Sequence, residues 1–139
     1  MDNSMCLRIK AIESNESFAR SVVSAFCVGN NPSLETVNDI KTAISEAVTN
    51  SIVHGYTKYE GDILLEATIK DDLLTVRVID YGIGILDVDT ALGDYYTTEK
   101  NGERSGLGFT IMQSFMDSLE VESVMGAGTT VTMTKKLNV

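Results

Sequence analysis

The chain has 139 residues, the size of one domain with a proper core. Its 20 Asp and Glu outnumber 11 Lys and Arg, for a net charge of −9, so it lacks the basic footprint of a nucleic-acid binder; the acidity suits a basic protein partner and equally well serves solubility alone. No apolar stretch approaches the ~20 residues of a membrane span, the start MDNSMCLRIK lacks the plan of a signal peptide, and two cysteines without a CxxC argue against a disulfide framework or zinc site; the expected location is the cytoplasm.

Cys6–Ile12 alternates, with Leu7, Ile9 and Ala11 on one face and Arg8 and Lys10 on the other, which predicts a half-buried strand. Cys6 and Cys27 stand among apolar neighbours and are expected in the core. Ser14 suits a helix N-cap. Phe18, Ala19, Val22, Val23 and Phe26 then make a helical stripe through about Val28, with Glu16, Arg20, Ser21 and Ser24 on the polar face. Gly29-Asn30-Asn31-Pro32 stops it. Ser33 suits the cap of a central helix, and Gly55 its C-terminal turn.

That helix buries Val37, Ile40, Ala43, Ile44, Ala47, Val48 and Ile52 along one broad face, with Ser51 small among them. A second line, Glu46, Asn50 and His54, recurs every four residues and stacks beside the stripe. Alone, this line reads equally as an ordinary polar flank, and His54 as a structural residue near the helix end.

Residues 57–61 form a connection. Asp62–Lys70 and Leu73–Ile79 are expected strands of a hairpin turning at Asp71-Asp72. Tyr81–Ser105 is glycine-rich and too long for a plain connection, so a lid at about residues 85–105, with a short helix, is expected. Leu107–Met116 reads as a helix that presents Leu107, Ile111 and Phe115, with Leu119 beyond it, on one face. Leu119–Ser123 and Thr129–Leu137 are the last strands, turned at Met125–Gly128. The sum is one α+β domain over residues 1–139: a two-layer sandwich of a mixed, largely antiparallel sheet with helices on one face.

The chemistry lies in three short stretches. Gly106 and Gly108 at a helix start let backbone N–H groups approach an anion, where the helix dipole favours negative charge; a packing turn is the alternative. Arg104 just before them offers a fork matched to phosphate oxygens, and Thr97 and Thr98 offer hydroxyls. Asp80 ends a buried strand, where a carboxylate needs a partner, and Gly82 and Gly84 let the chain turn closely after it.

Glu46-xxx-Asn50 on a helix, Asp80-Tyr81-Gly82-Ile83-Gly84 after a strand and Ser105-Gly106-Leu107-Gly108-Phe109 before a helix together resemble the nucleotide-binding set of the GHKL ATPase superfamily. The single histidine, His54, does not suit a histidine kinase, which needs a separate phosphorylated domain. The stretches SEAVTNSIVHGY, RVIDYGIGI, YYTTEKNGERSGLGFTIM and GAGTTVTMTKKL resemble the stand-alone bacterial anti-sigma factors that are also serine kinases, most closely their sporulation type.

The resemblance implies ATP as ligand, ADP as product, and Mg2+ held through Asn50. It implies that Glu46 activates an attacking hydroxyl and that Arg104 assists at the phosphates, with Thr97, Thr98, Ser105, Gly106, Leu107, Gly108 and Phe109 around them. Asp80 would take the adenine amino group, with Gly82 and Gly84 against the ring and Thr129, or its neighbour Thr130, beside it. The implied partners are an RNA polymerase sigma factor, which is inhibited, and an anti-anti-sigma protein, which is phosphorylated on serine. A homodimer is expected, with the first strand as a possible surface; Arg20, on the polar face of the first helix, reads equally as a contact to an acidic patch of either partner and as a solvated charge. Neither nucleic acid nor membrane is an expected partner. Two other readings stay open: a general-stress switch of the same kind, and an ATP-gated binding module that moves no phosphate.

Overall fold

A computed structural model of the chain describes residues 2–55, 61–85, 88 and 106–138, without the side chain of Leu107. Five strands form one sheet: β1 (Asn3–Lys10), β2 (Asp62–Lys70), β3 (Leu73–Asp80), β4 (Ser118–Val124) and β5 (Gly128–Lys136), in the order β1-β2-β3-β5-β4. All pairings among the described residues are antiparallel. The α+β two-layer reading holds, and the expected mixed character resolves to an antiparallel sheet.

Helices α1 (Ser14–Cys27), α2 (Leu34–Asn50) and α3 (Gly106–Phe115) share one layer, with α2 packed between the other two. Ser33 caps α2, its hydroxyl accepting from the Thr36 N–H at 3.1 Å, which satisfies an orphan donor of the first turn. Ser14 does not cap α1; it is the first residue of the helix, and Glu13 at the cap position makes no side-chain capping bond.

The strands alternate as the pleat requires. Leu74, Val76, Val78 and Asp80 of β3 lie buried under the helices, and Thr75, Arg77 and Ile79 point the other way. Ile40, Ala43, Ile44, Ala47 and Val48 of α2 are fully buried against this face. The core is one continuous cluster, so α2 is held from the sheet side and from both flanks.

Three sequence expectations need correction. The first strand runs Asn3–Lys10 rather than Cys6–Ile12, and its parity places Cys6 on the exposed face with Arg8. Only Cys27 is a core thiol, and burial pushes it up to about 11. The buried face of α3 is Phe109 and Met112, continued by Met116 just beyond it, not the line through Ile111 and Phe115; Phe115 is exposed. Both lines fit a helical period, so the pattern alone does not choose between them.

The hairpin between β2 and β3 turns at Asp71 and Asp72 with φ of 51° and 66°, as a tight two-residue turn requires. Asp72 also fastens the chain end. Its carboxylate accepts from Asn138 N–H at 2.8 Å and Asn138 Nδ2 at 3.0 Å, while its carbonyl accepts from Leu137 N–H at 2.9 Å. Among the described residues no helix is long and apolar enough to cross a membrane.

Candidate nucleotide site

The site forms where α2, the end of β3 and the start of α3 meet. After Asn50 the helix changes character: Ser51–Gly55 winds as one π turn. The wider turn brings Ser51 and Gly55 against the end of β3. The Ser51 hydroxyl donates to Asp80 Oδ2 at 3.0 Å, and Gly82 N–H donates to Asp80 Oδ1 at 3.0 Å. A Cβ on Gly55 would stand 3.0 Å from the Asp80 carboxyl carbon, so the glycine backbone lies flush against that carboxylate. Asp80 is 3% exposed. Such a buried carboxylate is tolerable because donors surround it, and its acceptor sites suit the amino group of a purine.

Gly82 is fixed by closeness rather than by φ. A Cβ there would fall 1.9 Å from the Gly55 carbonyl oxygen, the same oxygen that accepts from Ile83 N–H at 3.0 Å. Any side chain at Gly82 would separate the π turn from the strand end. Gly84 has φ of 82°, and the preceding Ile83 carbonyl accepts from Gly126 N–H at 2.8 Å.

Across the sheet Asp80 pairs with Thr129, and the two share the buried face. The Thr129 hydroxyl lies 2.8 Å from Ser123 Oγ, which also accepts from Ile85 N–H at 2.7 Å. Thr130 pairs with Ile79 on the opposite face of the sheet, so the pleat removes its side chain from the Asp80 side and from the candidate site.

At the other end, α3 begins directly against the polar line of α2. A Cβ on Gly108 would stand 3.2 Å from Asn50 Nδ2 and 3.4 Å from both Asn50 Oδ1 and Glu46 Oε1. The bare backbone of a helix start, an amide and a carboxylate thus meet within a few ångströms. Asn50 is 8% exposed, and its Nδ2 has no hydrogen-bond partner among the described residues. An orphaned buried amide is costly. Here it adjoins a helix N-terminus, whose N–H groups favour an anion. Burial first, and then the charge of Glu16, push the Glu46 carboxyl above the ordinary carboxylate range.

The residues suit magnesium held together with a nucleotide. Among the described residues no cluster of three His, Cys, Asp or Glu could cage a cation. Mg2+ keeps waters and takes phosphate oxygens, so one protein oxygen from Asn50 matches its habit.

Glu46, Asn50 and Gly108 thus meet at one end, and Asp80, Gly82 and Thr129 at the other, with Gly84 close against Val124 and Met125. Gly106 and Leu107 open α3 beside Gly108. Phe109 is 1% exposed and spends its ring in the core, so only its backbone adjoins the site. His54 is buried. Thr97, Thr98, Arg104 and Ser105, and the proposed lid apart from Ile85 and Val88, lie outside the described residues. Ser51, Gly55 and Ser123 were not singled out as site residues from the sequence. A small hydroxyl in the apolar stripe of α2 was the available signal for Ser51.

Residues 11–135 match the family described as histidine kinase-like ATPase domain. An anti-sigma F factor of Clostridium beijerinckii is 48% identical over 139 residues, covering 99% of this chain and 97% of the relative. One of Caldanaerobacter subterraneus is 52% identical over 134 residues, covering 96% and 94%. Among solved structures, the RsbU and RsbW domains of a Mycobacterium tuberculosis protein superpose with a TM-score of 0.71 at 20% identity. That match covers 97% of this chain and 32% of the other, and at this identity it speaks for the fold alone.

Proposed function

The chain belongs to the histidine kinase-like ATPase domain family, among the anti-sigma F factors, and on that footing we propose that it is an ATP-dependent anti-sigma switch with serine kinase activity. It binds and inhibits an RNA polymerase sigma factor of the sigma-F type. It phosphorylates an anti-anti-sigma protein on a serine and so inactivates that rival. It works in the cytoplasm as a homodimer, and residues 85–105 serve as the lid over the nucleotide.

The observation that carries this reading is the meeting of Gly108 with Asn50 and Glu46. Backbone N–H groups at the start of α3 receive the phosphates, together with Arg104, Thr97, Thr98 and Ser105. Asn50 offers its amide oxygen to Mg2+, whose contribution when bound is to gather phosphate oxygens and neutralise their charge. Asp80 receives the adenine amino group, held in place by Ser51 and Gly82, with Thr129 on the same buried face. Glu46 takes the proton of the acceptor serine as its oxygen attacks the γ-phosphorus and ADP departs. Its raised proton affinity suits it to that task. Most of the acceleration then comes from positioning and charge neutralisation.

The test is direct. The purified protein is mixed with Mg2+, γ-labelled ATP and the cognate anti-anti-sigma protein. Phosphoserine on that protein is expected. Nucleotide binding without any transfer would instead favour an ATP-gated binding module.

A further inference from the structure

Three polar residues stand in one row across neighbouring strands. Ser123 of β4 is the register partner of Thr129 in β5, and Thr129 is the partner of Asp80 in β3. Asp80 and Thr129 are each 3% exposed, and Ser123 is half-buried at the outer end of the row. The backbone beneath is tight: a Cβ on Gly128 would fall 2.1 Å from the Asp80 carbonyl oxygen, so the start of β5 lies hard against the end of β3.

The Ser123 hydroxyl has more partners than one arrangement serves. Its oxygen accepts from Ile85 N–H at 2.7 Å, it donates to the Gly128 carbonyl at 3.1 Å, and it lies 2.8 Å from Thr129 Oγ1, a pair in which either hydroxyl can donate. A hydroxyl holds one proton and two lone pairs. Ile85, itself 8% exposed and packed in the core, takes one lone pair. One proton and one lone pair remain, which leaves two arrangements. In the first, Thr129 donates to Ser123 and Ser123 donates to Gly128, so Thr129 turns only lone pairs toward the base end. In the second, Ser123 donates to Thr129, the Thr129 proton is released toward the base end, and the longer Gly128 contact is given up.

We propose that Ser123 is a positioning residue that sets the direction of the Thr129 hydroxyl. The pair takes the first arrangement without nucleotide and reverses when a purine presents a ring acceptor beside its amino group. The inference rests on the ATP reading above and deepens it. Asp80 accepts from the amino group, and the reversed Thr129 donates to the adjacent ring nitrogen. Guanine carries a carbonyl and a ring N–H at these two places, the opposite pattern, and Asp80 repels that carbonyl. A hydroxyl that accepts a bond donates a stronger one, so Ser123 feeds the Thr129 bond while touching no ligand atom itself.

The experiment titrates the native protein, with Mg2+ present, with ATP and with an ATP analogue in which C–H replaces the ring nitrogen next to the amino group. The native chain is expected to bind ATP about tenfold more tightly than the analogue. Ser123→Ala is expected to cut that ratio to about threefold or less, because the Thr129 hydroxyl then has nothing to orient it. Ser123→Thr keeps a hydroxyl in a residue suited to a strand and is expected to restore the ratio. Ser123→Cys, similar in size and a weak donor, is expected to fall between, and it carries the comparison where the alanine variant does not fold. A side chain that merely held the fold would weaken both nucleotides alike and leave the ratio unmoved. A native-like ratio in folded Ser123→Ala, or in Ser123→Cys in its place, would overturn the proposal and leave the ATP reading standing. Equal binding of ATP and the analogue by the native chain would do the same. If the native chain binds neither nucleotide, the ATP reading itself fails and the relay falls with it.

Discussion

The space that a methyl group on Gly108 would fill lies 3.2 Å from the Asn50 amide nitrogen. That gap separates α3 from the polar line of α2, and it is tight enough that a side chain must push the amide aside. Gly108→Ala is therefore expected to keep the fold, with a melting shift of a few degrees at most, and to weaken Mg-ATP binding about tenfold or more. Calorimetry with nucleotide, beside thermal unfolding without it, checks both parts.

On the proposed reading, Glu46 sets function against stability. Its carboxyl titrates above the ordinary value of 4.5 because burial, and then Glu16, disfavour the charged form. At pH 7 the folded protein bears that cost in full. Glu46→Gln should abolish transfer, spare ATP binding and raise the melting temperature at pH 7. The gain should shrink as the pH falls through the raised folded value, because the native carboxyl then becomes neutral too. A variant that transfers phosphate at the native rate would remove Glu46 as base.

Ser51→Ala leaves one oxygen of a buried carboxylate without its 3.0 Å donor. The expected cost is about 1–3 kcal/mol in urea unfolding. Nucleotide affinity should fall as well, because Asp80 loses a group that orients it. Asp80→Asn should weaken ATP more than it weakens the fold.

Asp72 ties the β2–β3 turn to the chain end, and Asn138 is the main cause of its lowered carboxyl. A depressed carboxylate stabilises above its unfolded value, near 3.8, and loses that contribution as the pH falls through the folded value. Asp72→Asn keeps a residue that tolerates positive φ. It should lower the melting temperature at pH 7, and the difference from the native chain should shrink as the pH falls below 3.8 through the lowered folded value.

The two thiols should separate cleanly. Cys6 is exposed, whereas Cys27 is buried and pushed up to about 11. A thiol reagent should label Cys6 in the folded protein and reach Cys27 only after unfolding.

Much of this architecture was legible in the amino-acid order. The strands of the hairpin and the helix capped by Ser33 declared themselves by period and cap chemistry. Parity also determined Cys6: residues 7 and 9 face inward, so 6 and 8 cannot. The α3 face was ambiguous because apolar residues recur on two helical lines, and only the neighbour that covers them chooses. The site was half legible. Asp80 and the glycines were visible as types, but the contacts of Gly55 and Ser51 with Asp80 depend on a change of helical winding that no local pattern announces. Thr129 and Thr130 differ only in pleat, which the register with Asp80 and Ile79 decides.

That winding has a consequence for anyone building chimeras or trimming loops. The π turn at Ser51–Gly55 spends an additional residue per revolution, so the count between Asn50 and Gly55 acts as a gear setting between the two ends of the ligand groove. Removing one residue there would let an ordinary α turn close, rotate Gly55 away from Asp80, and leave Glu46 and Asn50 correctly placed beside a mistimed purine pocket. Such a deletion would cost base recognition first and phosphate recognition second, although no ligand-contacting side chain had been altered.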